Sequence, residues 1–123
     1  MIGYVTYGTN DLPRACAFYD ALLEEFGAKR VMDDGRIVLY GVPDQPMFAI
    51  CTPNDEQPAT VGNGAMVALA ADSKEQVQRL YDKALELGGT DDGAPGPRSG
   101  GPFYGGYFRD LDGNKFVAFY MDI

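Results

Sequence analysis

The chemistry open to this sequence of 123 residues is bounded first by a side chain it lacks, because it contains no histidine. Imidazole is the commonest transition-metal ligand and the usual general base near neutral pH. A serine nucleophile therefore has no such base to activate it, and a metal would have to find other donors. Two cysteines remain, Cys16 inside an expected helix and Cys51 at the end of an expected strand. Both read as small apolar fillers rather than as nucleophiles or a disulfide pair. Arg98 stands alone among basic residues in a glycine- and proline-rich stretch from Gly93 to Pro102. A guanidinium can grip a carboxylate with two parallel bonds, so Arg98 is the candidate contact for an anionic or strongly polar ligand. Tyr104 and Tyr107 follow it as candidate aromatic contacts at the rim of the same site.

Two motif-like stretches carry less than they suggest. Asp110-Leu111-Asp112-Gly113-Asn114 imitates the start of a calcium loop, but Lys115 stands where glycine is required and Met121 where the closing glutamate belongs. It reads as a hairpin turn, with Asp112-Gly113-Asn114 at its tip. Gly62-Asn63-Gly64 lacks the third glycine of a dinucleotide fingerprint and precedes a strand instead of following one.

The elements that must position these residues come in two similar sets. Ile2 to Gly8 alternates as a strand, with Val5 and Tyr7 on one face and Tyr4 and Thr6 on the other. Asn10 or Asp11 caps the next helix and Pro13 fits its first turn; Leu12, Ala15, Cys16, Tyr19, Leu22, Leu23 and Phe26 recur at helical spacing until Gly27 stops it. Three short strands are expected over Ala28 to Met32, Arg36 to Val42 and Met47 to Thr52, and Pro53 to Gly62 reads as a linker. The pattern then restarts. Ala65 to Ala71 alternates as a strand, Ser73 and Gln76 form a capping box, and Val77, Leu80, Tyr81, Ala84 and Leu87 mark a second amphipathic helix that ends at Gly88-Gly89. A short strand near Thr90, the flexible stretch Gly93 to Pro102, and strands Tyr104 to Arg109 and Lys115 to Tyr120 complete it. Aligned, the halves pair Tyr4 with Met66, Tyr19 with Tyr81 and Gly27 with Gly89, an internal β-α-β-β-β repeat. The second copy is longer, and the stretch Gly93 to Pro102 is the expected place for its extra residues, as a lid or as an inert insertion.

With those motifs in place, Arg109-Asp110-Leu111-Asp112-Gly113-Asn114-Lys115, Gly88-Gly89-Thr90, Asn10-Asp11-Leu12 and Phe18-Tyr19 resemble the glyoxalase, bleomycin-resistance and ring-cleaving dioxygenase superfamily, the vicinal oxygen chelate proteins. The resemblance spans nearly the whole chain. It implies an α+β fold in which two β-α-β-β-β modules form a curled, cup-like mixed sheet with the helices outside. The expected boundaries within a single domain are module one over about 1–53, a linker over about 54–62 and module two over about 63–123. Metal-dependent members place histidine, glutamine or glutamate on the first and last strands of each module. The matching positions here are Tyr4, Ala49, Met66 and Val117, so no metal and no cofactor is expected. Around them strand parity places Thr6, Met47, Cys51, Ala68 and Phe119, an apolar floor with a few polar groups.

Bulk properties narrow the partners. A formal charge of −8 with no basic cluster in the sequence speaks against nucleic acid. A hydrophobic fraction of 46% with 23% charged residues is that of a globular chain, and no apolar run reaches the roughly 18 residues that read as a membrane span. A cytoplasmic protein is expected, without membrane partners. The resemblance further implies a homodimer. Three functions remain open: metal-free binding of a small organic molecule in the cup, a metal-independent enzyme of lyase or isomerase type, and a dimeric regulatory or interaction module with a filled cup.

Overall fold

Alternating β-branched and aromatic residues, broken by two capped helices, fold into two units, Met1–Val61 and Gly62–Ile123. The structure is a computed structural model that describes residues 1–122. Each unit holds one helix and one four-stranded mixed sheet, giving an α+β fold.

In the first unit, β1 (Tyr4–Gly8), β2 (Lys29–Asp33), β3 (Ile37–Gly41) and β4 (Met47–Cys51) order as β1-β4-β3-β2, with β1 parallel to β4 and the other pairs antiparallel. The helix α1 (Leu12–Leu22) makes the crossover that a parallel pair needs. Of the two candidate caps, Asp11 does the work: its carboxylate accepts from the Arg14 N–H at 3.2 Å. Asn10 serves elsewhere, exchanging two hydrogen bonds with the Ala59 backbone and so pinning the segment after β4. The helix tightens into a 3₁₀ turn over Leu23–Phe26 and stops at Gly27. Its buried stripe is Ala15, Cys16, Phe18, Tyr19 and Leu22, and Tyr19 lies 4.8 Å from Phe48 between ring centroids. That contact fixes which sheet face the helix covers: the one bearing Val38, Tyr40, Phe48 and Ile50, all buried.

The second unit repeats the plan with β5 (Val67–Ala70), α2 (Lys74–Glu86), β6 (Thr90–Pro97), β7 (Phe103–Arg109) and β8 (Lys115–Met121) in the order β5-β8-β7-β6. Ser73 Oγ accepts from the Gln76 N–H at 3.1 Å, and Gln76 reaches back to accept from the Asp72 N–H at 2.8 Å. The reciprocal bond thus falls one residue earlier than in the standard capping box. The stripe Val77, Leu80, Tyr81 and Ala84 is buried, as are Phe108 and Phe116, whose rings stack at 5.5 Å.

One expectation is corrected here. Half of the stretch Gly93 to Pro102 is strand: β6 runs through Pro97 with two register irregularities, and Arg98 to Pro102 remains as loop. Prolines are tolerated because β6 is an edge strand, where no further neighbour asks for their missing N–H. Pro95 also packs onto Gly106, where an added Cβ would meet the proline ring at 2.9 Å. The extra length of the second unit is divided between the irregular strand β6 and the loop after it.

The hairpin Asp110 to Asn114 is a turn, as its sequence indicated. Asp110 Oδ1 accepts from the Asp112 and Asn114 N–H groups, Asn114 Nδ2 donates to Asp110 Oδ2 at 2.9 Å, and Gly113 takes the left-handed φ of 91°. The carboxylate that would open a calcium loop is spent within the turn.

Candidate functional site

Parity and register decide which side chains share a face. In the first sheet, Tyr4 pairs with Met47, Thr6 with Ala49 and Gly8 with Cys51, so Tyr4, Thr6, Met47, Ala49 and Cys51 all occupy the face turned away from α1. Ala49 is fully buried, Met47 and Cys51 are half-buried, and Tyr4 on the edge strand is 55% exposed. Cys51 is a free thiol whose sulfur donates to the Tyr7 carbonyl at 3.6 Å; Cys16 is also free and lies in the helix core.

In the second sheet, Ala68 pairs with Val117 and Ala70 with Phe119, while Tyr107 pairs with Val117 and Gly105 with Phe119. Ala68, Tyr107, Val117 and Phe119 therefore share the face away from α2, and Met66 stands exposed immediately before β5. Tyr104 is separated from them. It pairs with Tyr120 on the helix face, with the Lys74 ammonium 5.4 Å from its ring centroid. An interval of three residues along a strand puts two side chains on opposite faces, so Tyr104 and Tyr107 cannot act together.

The residue missed in its place is Phe103. It stacks on Phe119 at 5.3 Å with the planes 7° apart, and its ring edge fills the space that a Cβ on Gly105 would take. The two-residue period from Phe103 through Gly105 and Tyr107 to Arg109 was the signal that could have found it.

Arg98 folds back over this same face. Its guanidinium carbon lies 5.4 Å from the Tyr107 ring centroid, and it donates to the carbonyls of Pro97, at 3.2 Å, and Ala94. Lys115 lies 5.3 Å from the same ring. Asp92 accepts from Arg109 Nε at 3.2 Å and sits 3.5 Å from Lys115 Nζ, and Arg109 also donates to the Gly113 carbonyl.

Other polar networks hold helices to sheets. Tyr40 donates to Asp20 at 2.8 Å, and Arg30 takes both oxygens of that carboxylate, at 2.9 and 2.7 Å. Arg30 holds the Asp20 carboxyl below its ordinary value against the opposing effect of burial, and burial together with Asp20 pushes the Tyr40 phenol well up. Tyr81 donates to Asp91 at 2.7 Å, which pushes its phenol up to about 12 and the Asp91 carboxyl down. These shifts move each group away from neutrality, the wrong direction for a general acid or base at pH 7. A cleft of about 650 Å³ is lined by Thr9, Asn10, Arg36 and residues of the segment Thr52 to Pro58, none of them a candidate residue.

The donor set tests the metal that the resemblance raises. Tyr4, Ala49, Met66 and Val117 offer one phenol, one thioether and two hydrocarbons, which do not fit a divalent transition ion. Among the described residues no group of three or more His, Cys, Asp and Glu side chains could hold a metal.

Paired β-α-β-β-β units, each with one helix on a four-stranded mixed sheet, define a class of α+β proteins. The comparisons make the class specific: residues 1–118 match the Glyoxalase/Bleomycin resistance protein/Dioxygenase superfamily, and the chain belongs to it. A glyoxalase/bleomycin resistance protein from Albidiferax ferrireducens T118 is 37% identical over 99% of both chains, with a TM-score of 0.90. A hypothetical protein from S. aureus is 27% identical over 98% of this chain and 92% of its own, at 0.76. Lactoylglutathione lyase from Agrobacterium tumefaciens shares the fold at 22% identity and a TM-score of 0.70, with 98% and 92% covered. No curated protein sequence matches the chain.

Proposed function

We propose that this chain binds a small organic molecule without a metal ion, using the sheet faces that the helices leave uncovered. The observation that carries this is the second sheet's face, where Ala68 and Ala70 are exposed along β5 and Ala70 lies across from Phe119 of the flat Phe103–Phe119 stack. Small apolar groups beside a stacked pair form a surface on which an aromatic or aliphatic body can lie. Membership of a superfamily whose name includes bleomycin resistance supports the same reading. The free thiols and the absence, among the described residues, of any helix long and apolar enough to cross a membrane are compatible with the cytoplasmic site we infer.

The test is a thermal-shift titration with a neutral aromatic probe, 2-naphthalenemethanol, because a ligand selective for the folded state raises its melting temperature. The parent protein is expected to gain stability with probe concentration. Ala68→Trp, which fills the exposed face with a ring of its own, is expected to lose that response while staying folded. An unchanged melting temperature for the parent at every soluble concentration would overturn the reading.

A further inference from the structure

We propose that the ligand of the second sheet's uncovered face is an organic anion with a flat apolar body, its acid group lying beside Tyr107 within reach of Arg98 and Lys115. This rests on the small-molecule reading above and adds the sign of the ligand's charge. The chain as a whole argues the other way, since a net charge of −8 surrounds it with a field that attracts cations. The local arrangement brings cations together. Arg98, Arg109 and Lys115 all gather on one face of one sheet, two of them against a single aromatic ring at 5.4 and 5.3 Å.

What matters is how those charges are held. Asp92 is a carboxylate shared between two of them, Arg109 and Lys115. The Arg98 guanidinium donates to two backbone carbonyls, which use two of the five N–H groups that it carries. Neutral carbonyls fix the position of a cation without cancelling its charge. The Arg98 N–H also donates to the Phe103 carbonyl at 2.9 Å, tying the short loop across β6 and β7. Arg98 is thus a positive group already oriented over the sheet, the arrangement that loses least on taking up an anion.

The apolar half adjoins it. Tyr107 pairs with Val117, and the next pair on that face, Gly105 with Phe119, lies under the Phe103 ring. Successive same-face positions on a strand are about 7 Å apart, so the cationic cluster and the stacked rings are one small molecule's length from each other. A ligand with an aromatic or conjugated body and a carboxylate, sulfonate or phosphonate head satisfies both halves. A cation of the same shape would meet three like charges.

Three probes with one ring system decide the matter in calorimetric titrations of the full chain: 2-naphthoate, 2-naphthalenemethanol and 2-naphthyltrimethylammonium. We expect naphthoate to bind about tenfold more tightly than the alcohol, the ammonium to bind most weakly, and naphthoate alone to weaken between about 50 and 500 mM salt. Lys115→Gln and Arg98→Gln, each checked for folding by circular dichroism, are expected to weaken naphthoate about fivefold and leave the alcohol unchanged. Naphthoate binding no tighter than the alcohol, or unmoved in both folded variants, would overturn the charge assignment and leave small-molecule binding intact. If none of the three probes binds, both readings fall together.

Discussion

Tyr40 and Tyr81 hold their helices to the sheets by the same bond read in opposite directions. Tyr40 is on a strand and donates to Asp20 on α1, whereas Tyr81 is on α2 and donates to Asp91 on β6. The aligned repeat pairs Tyr81 with Tyr19, yet Tyr19 is wholly buried among Phe18, Tyr40 and Phe48, so equivalent positions have separate duties. Asp20 carries more of the load because Arg30 grips the carboxylate that Tyr40 also contacts. Its carboxyl is held below the ordinary 3.8, chiefly by Arg30. A group with a lowered folded pKa stabilises fully above its unfolded value, and that contribution disappears as pH falls through the folded one. Asp20→Asn should therefore lose about 1 kcal/mol at pH 7, a modest figure because both partners are partly solvated. Urea melts should show the gap between parent and variant closing as pH falls below the ordinary carboxylate range, where the parent's carboxylate becomes protonated too. A gap that persisted in acid would mean that shape, not charge, was lost.

Elements were legible where local rules decide them and misread where long-range packing does. Asp11, Ser73 and Gly27 announced helix ends because caps and terminators act within a few residues. The sheet faces were legible from alternation, which put Tyr4, Thr6, Met47, Ala49 and Cys51 on one side together. Gly93 to Pro97 looked like loop because glycine and proline rarely form strands, yet β6 is held by its neighbour β7 and by Pro95 seated on Gly106. Arg98 was legible as a candidate anion contact, but no local pattern reveals that its guanidinium bonds to its own chain's carbonyls. The cationic cluster was invisible for the same reason: Arg98 reaches Tyr107 only once β6 and β7 pair. The Pro95 contact gives this element its own test. Gly106→Ala places a methyl 2.9 Å from the proline ring, and overpacking of this kind costs about 1–3 kcal/mol. A urea midpoint lowered to match, together with faster amide exchange along β6 and not along β5, is expected; exchange unchanged in β6 would show that Pro95 does not hold the strand.

For the molecule as a whole the unresolved demand is the exposed apolar surface of its edge strands. β1 ends the first sheet, and Ile2, Tyr4 and Val5, before and at its start, are 55, 55 and 37% exposed. β5 ends the second sheet in the same way, with Met66 45% exposed at its entrance. Edge strands of this character, with no charge along Tyr4–Gly8, are usually blunted or covered, since they otherwise invite pairing with another chain. A second copy is the simplest cover, because a twofold axis lets one surface patch satisfy itself. Charge opposes this association, as each copy carries −8. The two forces separate by salt: screening weakens repulsion between like-charged copies and leaves apolar burial intact. Light scattering is therefore expected to find a homodimer at micromolar concentration that tightens as salt rises to about 0.5 M, the opposite of the trend expected for naphthoate. Tyr4→Lys puts a charge on the edge and should shift the protein to monomer without unfolding it, since Tyr4 is exposed in the single chain. A monomer at both salt concentrations would refute pairing through these edges, and a dimer indifferent to Tyr4→Lys would move the interface away from β1.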